Sequence, residues 1–80
     1  MITGSQIRSA RHALRWSVND LAELSGVSTS TIKRIETSDG IPNSTKTNTA
    51  ALQNTIEAAG IEFIGTPDDG PGIRIYARKN

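Results

Sequence analysis

Residues 18 to 35 contain two short helical patterns that are separated by a single glycine. Leu21 lies on the apolar face of the first pattern, and Ile32 and Ile35 form a narrow apolar stripe on the second. Gly26 follows the first pattern at the position where helices often end with a positive φ angle. The second pattern is too polar elsewhere to serve packing alone, so its other side is expected to meet a polar partner or solvent.

Both patterns begin at residues that suit helix N-termini. Ser17, followed three positions later by Asp20, predicts an acidic variant of a capping box. Ser28 is expected to cap the second helix, which should run from about Thr29 to Glu36 or Thr37. Two helices joined by a short turn that contains glycine form a helix-turn-helix, and the second helix of this motif often enters the DNA major groove.

The segment resembles the helix-turn-helix of the lambda-repressor-like Cro and Xre regulators over roughly residues 5 to 60. The shared elements are Leu21-Ala22, Gly26-Val27-Ser28, Thr31-Ile32 and Ile35-Glu36. Val18 stands where many members have glutamine. The resemblance implies a mainly α domain of four or five helices that binds DNA. It also implies a structural ion pair between Arg11 and Glu36.

Candidate DNA contacts lie on the polar side of the second motif helix. Lys33 can donate to guanine O6 and N7, and the hydroxyls of Thr29 and Ser30 can contact bases or phosphates. The polar loop at residues 37 to 48 could contact phosphates. The candidate DNA-binding residues are Ser17, Ser28, Thr29, Ser30, Thr31, Lys33, Arg34, Asn43 and Lys46. The competing interpretation is a polar face that keeps the domain in solution.

One further helix is predicted on each side of the motif. The first spans about residues 5 to 15, where apolar residues recur at helical spacing beside a row of arginines. For Arg8 and Arg15 in that row, a solvated surface position is as well supported as a functional contact. The last helix spans about residues 49 to 59 and ends at Gly60.

The C-terminal residues depart from an ordinary repressor domain. Strand patterns at residues 61 to 65 and 72 to 79 flank a turn that is rich in Pro, Gly and Asp. A hairpin of two strands is barely stable alone, so it either folds back over the helices or pairs with another chain. Pairing in a homodimer through residues 61 to 77 is favoured, because two-fold dimers match two-fold operators. The expected organisation is a helix-turn-helix domain at 1–60 and a β-hairpin at 61–80.

Composition excludes several other classes of protein. The chain has 80 residues and no cysteine, so neither disulfides nor thiolate metal sites are expected. No apolar run approaches the roughly 20 residues of a membrane span, and the N-terminus lacks a signal-peptide pattern. A cytoplasmic location is therefore expected. His12 is isolated and Asp68 and Asp69 lie in the turn cluster, so no enzyme activity, metal, cofactor or small-molecule ligand is expected.

Two functions remain. The first is a sequence-specific DNA-binding transcriptional regulator, a homodimer on a short pseudo-palindromic operator, for which promoter occlusion is the simplest action. The second is a protein-interaction module, such as an anti-activator or adaptor, on a helix-turn-helix scaffold. Three features favour the second: a net charge of only +1, Val18 in place of glutamine, and the short side chains of Thr29 and Ser30 on the second motif helix. The register of the motif, Lys33 with Arg34, and the polar loop favour the first.

Overall fold

The computed structural model describes residues 2–42 and 44–76 as four helices followed by a β-hairpin. The elements are α1 (Gly4–Ala13), α2 (Val18–Ser25), α3 (Thr29–Thr37), α4 (Lys46–Ala58), β1 (Ile61–Thr66) and β2 (Asp69–Ile75). The strands are antiparallel, with Ile61 opposite Ile75 and Phe63 opposite Ile73. The mainly α fold class with a C-terminal hairpin is confirmed.

The helix α1 lies slightly nearer the N-terminus than the predicted range of 5 to 15. It begins earlier because Thr3 and Gln6 form a capping box. The Thr3 hydroxyl accepts from the backbone N–H of Gln6 at 3.0 Å, and the side-chain Oε1 of Gln6 accepts from the backbone N–H of Thr3 at 2.8 Å. It ends earlier because Arg15 adopts a left-handed conformation with φ of 58°. The chain therefore leaves the helix before Arg15.

The two helices of the motif begin and end as predicted. Ser17 and Asp20 satisfy each other's amides, with distances of 3.0 Å to the serine hydroxyl and 2.8 Å to the aspartate oxygen. Gly26 has a φ of 77° and ends α2. Ser28 caps α3 by accepting from the amide of Thr31 at 3.3 Å. These local hydrogen bonds fix the turn between α2 and α3.

The start of α4 differs from the predicted start near residue 49. Thr45 is its N-cap and accepts from the amide of Asn48 at 3.2 Å, so the helix begins at Lys46. Leu52 and Ile56 are its fully buried residues. They join one hydrophobic core that draws on the segment before α1, all four helices, the α2–α3 turn and β1: Ile2, Ile7, Ala10, Leu21, Val27, Ile32, Ile35, Leu52, Ile56 and Ile61.

The hairpin folds back over its own helices. Ile61 is buried, and Phe63 and Ile73 pack against the helical core. The buried Gln6 amide of α1 donates to the carbonyls of Ile64 at 2.9 Å and Gly72 at 2.8 Å. The helices and the hairpin therefore share one core, and any pairing with a second chain must use strand edges or faces that this packing leaves open.

Replacing Gln6 with leucine should weaken the docking of the hairpin. Leucine has a side chain of similar size, but it leaves the backbone N–H of Thr3 without an acceptor. It also removes the side-chain NH2 group of Gln6, which donates to both strands. We expect the free energy of unfolding to fall by about 2 kcal/mol, the usual cost of an unsatisfied buried polar group. Urea denaturation measures the loss. Gln53→Leu is the control, because that side chain only bonds Glu57 on the surface of α4 at 3.3 Å; an equal loss in both variants would contradict the role of Gln6.

Candidate nucleic-acid interface

The helix α3 has one buried side and one exposed side. Ile32, Ile35 and Glu36 are its buried residues. Because each residue of an α-helix turns by about 100°, the side opposite to these three carries Ser30, Lys33, Arg34 and Thr37, and all four are exposed. We call these four residues the outer row. Ser30 and Thr37 lie near the centre of the row, and Lys33 and Arg34 flank it on either side by about the same angle, so Arg34 faces outward as directly as Lys33.

The first turn of α3 uses part of its hydroxyl groups internally. The Ser28 hydroxyl caps the helix and donates to Thr31 Oγ1 at 2.9 Å. Ser30 Oγ lies 3.4 Å from Ser28 Oγ, and Thr29 is half-buried. Ser28 and Thr31 therefore shape the start of the helix, whereas Ser30 remains an outward hydroxyl next to the two cations of the outer row.

The exposed positive charge is concentrated although the net charge is small. Three arginines in the described ranges form salt bridges, each at 2.9 to 3.0 Å: Arg8 with Asp39, Arg11 with Glu36, and Arg74 with Glu62. Lys33, Arg34, Lys46 and Arg15 make no salt bridge to any residue that the structure describes. Two of these four cations lie side by side on α3, and this pair gives the helix its positive surface.

An ion pair joins α1 to α3 on the buried side of α3. Arg11 Nε lies 2.9 Å from Glu36 Oε2 and Arg11 Nη2 lies 2.9 Å from Glu36 Oε1, so the pair is bidentate. Both side chains are nearly buried, and Arg11 Nη1 also donates to the carbonyl of Trp16 at 3.0 Å. The hydrogen bond to Glu36 raises the pKa of Arg11 above its ordinary value. Arg11 thus stays charged, and its two hydrogen bonds to Glu36 fix the last turn of α3 against α1.

The first residue of α1 lies against the end of α3. The amide of Gly4 donates to the carbonyl of Gly40 at 2.9 Å. A Cβ atom at Gly4 would lie 2.0 Å from the carbonyl oxygen of Ser38 and 2.2 Å from that of Ile35. Only glycine allows this approach. Neither its spacing nor its neighbours in the sequence indicated the contact, because Ser38 and Ile35 are distant in the chain.

The other candidate residues lie at the ends of neighbouring helices. Ser17 is exposed at the start of α2 and its hydroxyl accepts from the amide of Asp20. Lys46 is exposed at the start of α4. No hydrogen bond or ion pair among the described residues joins either one to α3. Asn43 lies outside the described residues.

In residues 2–42 and 44–76, no group of three or more His, Cys, Asp or Glu side chains is placed to hold a metal ion. Within the same ranges, no helix combines the length and apolar character that a bilayer crossing needs.

Comparison with known proteins agrees with this geometry. No curated protein matches the chain. A family model described as a helix-turn-helix domain matches residues 3–60, which include all four helices and the outer row. The chain belongs to this family of helix-turn-helix domains.

Proposed function

We propose that this protein is a sequence-specific DNA-binding transcriptional regulator of the Cro/Xre type, with α3 as its reading helix. The observation that carries the proposal is the outer row of α3. Lys33 and Arg34 point away from the core there without an acidic partner among the described residues, while three other arginines are neutralised. A positive helix surface of this kind suits the major groove.

Some side chains of the outer row would contact bases and others would contact phosphates. Arg34 and Lys33 can donate to guanine O6 and N7, and the hydroxyl of Ser30 can contact either a base or a phosphate. The short side chains of Ser30 and Thr29 restrict sequence less than long amides do, so DNA shape contributes to specificity. Ser28 and Thr31 would act mainly by forming the start of the helix.

Phosphate contacts would flank the reading helix. Amide groups at the start of α2, next to Ser17, can bind a phosphate because they carry the positive end of the helix dipole. Lys46 at the start of α4 and Asn43 in the preceding loop are the proposed contacts on the other side. Such contacts position the domain on the duplex without reading sequence.

The regulator would act as a homodimer on a short pseudo-palindromic operator, because two reading helices then meet half-sites one helical turn apart. Repression through occlusion of a promoter is the simplest action for a domain of this size. The proposal places the protein in the cytoplasm, together with its DNA.

The two cations of the outer row provide the main test. Selection from a random duplex pool gives the preferred sequence, and fluorescence anisotropy then measures affinity for it and for unrelated duplex at several salt concentrations. We expect Lys33→Ala and Arg34→Ala each to cost about 1–3 kcal/mol on the preferred site where the side chain reads a base. A phosphate contact would instead cost the same on every sequence and reduce the salt slope by about one.

Arg15→Gln is the matched control, because it removes one exposed cation that follows α1 and lies beside Gly60 and Tyr76, not on α3. It should leave both affinities nearly unchanged. If no sequence is enriched and the affinity for duplex does not depend on salt, the proposal fails and the protein-interaction module becomes the better description.

A further inference from the structure

The hairpin has an open edge along β2. The amide of Tyr76 donates to the carbonyl of Gly60 at 2.9 Å, in the same register that sets Ile61 opposite Ile75. Hydrogen-bonded and non-hydrogen-bonded pairs alternate in an antiparallel ladder. The backbone N–H and C=O groups of Ile73 and Ile75 therefore point away from β1. Within the described part of the chain, no other residue forms a hydrogen bond with these groups.

Apolar surface accompanies this edge. The side chain of Ile75 lies on the same face of the sheet as the half-buried Ile73, yet Ile75 is 63% exposed. The next residue, Tyr76, is 52% exposed. A strand that offers both unpaired backbone groups and exposed apolar side chains is a template for pairing with another strand.

We propose that a second copy of this chain pairs with β2 in antiparallel orientation, with the two-fold axis at Arg74. This inference rests on the homodimer of the proposed function and assigns its surface. Ile73 would lie opposite Ile75 of the second copy, and Ile75 opposite Ile73 of that copy. Each of these pairs exchanges two backbone hydrogen bonds, and the two hairpins form one continuous sheet.

Pro71 in β2 disfavours the neighbouring register on the side of the turn. Shifting the axis by one residue toward the turn would set Ile75 opposite Pro71 of the second copy, and proline has no N–H to donate. With the axis at Arg74, the two Arg74 side chains are neighbours on the outer face. Each is already neutralised by Glu62 of its own chain, whose Oε1 lies 3.0 Å from Arg74 Nη1.

A second copy fits this edge because the surface is self-complementary: each chain supplies the same donors, acceptors and apolar side chains. The outer edge of β1 is less suited to the same role. Ile61 is only 2% exposed, so β1 is covered at the end where it follows α4.

Cysteine cross-linking tests the register directly, because the chain contains no cysteine of its own. Residues directly opposite in a non-hydrogen-bonded pair have Cα atoms about 4.5 Å apart, which lies within the range that a disulfide spans, about 4.4–6.8 Å. We expect Arg74→Cys to form a covalent dimer on mild oxidation. Glu62→Cys is the matched control, since it lies on the same face but on β1, and it should stay monomeric. Equal cross-linking of both variants would overturn the assignment.

A charge placed at the edge gives an independent test. Ile75→Lys should weaken the dimer on the order of 100-fold, because each copy loses an apolar contact between Ile75 and Ile73 of the second copy and the two like charges lie diagonally across the axis. Leu24→Lys is the control, because Leu24 is similarly exposed, at 58%, but lies on α2. Sedimentation velocity over a range of concentrations measures both constants, and a control that is weakened more than Ile75→Lys would move the interface elsewhere.

The tests of the dimer interface can fail independently of the tests of DNA binding. A wild-type chain that stays monomeric but binds the selected duplex would overturn this inference and the proposed homodimer, and would leave DNA binding through α3 intact. A dimer that is lost with Ile75→Lys and ignores duplex DNA would support the inference and contradict the proposed function.

Discussion

Replacing Gly4 with alanine should lower the free energy of unfolding by about 3 kcal/mol, at the upper end of the usual cost of an overpacked site. The added methyl would lie 2.0 Å from the carbonyl oxygen of Ser38 and 2.2 Å from that of Ile35. Both obstacles are backbone atoms, so α1 and the end of α3 must move apart. Urea denaturation followed by circular dichroism measures the loss.

Gly40→Ala is the control for this prediction. The carbonyl of Gly40 accepts the amide of Gly4, but a Cβ atom at Gly40 meets nothing within 4 Å. The same substitution should therefore change the free energy of unfolding by less than about 0.5 kcal/mol, as at other open surface positions. A Gly4→Ala variant as stable as Gly40→Ala would show that α1 does not approach α3 this closely.

Breaking the ion pair behind the reading helix should have a similarly large effect. Arg11→Met leaves the carboxylate of Glu36 nearly buried and without its bidentate partner. We expect the free energy of unfolding to fall by about 3 kcal/mol, as is usual when one member of a buried pair is removed. Affinity for the selected duplex should fall as well, because the last turn of α3 loses its support. Urea denaturation and anisotropy measure the two effects.

The double variant Arg11→Met with Glu36→Leu separates the two causes of this loss. If the cost comes from an unpaired charge, removing both charges should restore most of the stability. A double variant that is no more stable than Arg11→Met would contradict this explanation.

The direction in which the pKa of Arg11 is shifted determines how the stabilisation by this residue depends on pH. The pKa of Arg11 is raised in the folded state by its hydrogen bond to Glu36. A raised pKa means that the stabilisation is complete below the ordinary pKa of arginine and is lost only as the pH rises through the higher folded value. The contribution from Arg11 should therefore stay constant from neutral to moderately alkaline pH, which denaturation at a series of pH values can check.

The local features of the fold could be predicted from sequence because they depend on residues that are close together in the chain. The cap formed by Ser17 and Asp20 and the positive φ angle of Gly26 each involve a few neighbouring residues. The buried stripe of Ile32 and Ile35 follows from helical periodicity in the same way. The outer row could be predicted as a surface for this reason, although periodicity alone left the direction of Arg34 open.

Contacts between distant parts of the chain could not be predicted in this way. Gln6 reads as an ordinary polar residue near a helix start, yet its amide reaches the carbonyls of residues that follow it by 58 and 66 positions. Arg8 looked as much like a solvated cation as a structural one. Its guanidinium in fact donates to the carbonyl of Glu36 and pairs with Asp39.

Sequence therefore specified where α2 and α3 begin, and which side of each of these helices is apolar and which remains polar, because backbone geometry and hydrogen bonds between neighbours suffice for these properties. It left open whether the hairpin covers its own helices, and it gave no reason for glycine at position 4. Both were settled by how the elements pack together. Packing of Ile61 in the core and the approach of Gly4 to the end of α3 depend on the shapes of surfaces that only the assembled fold creates.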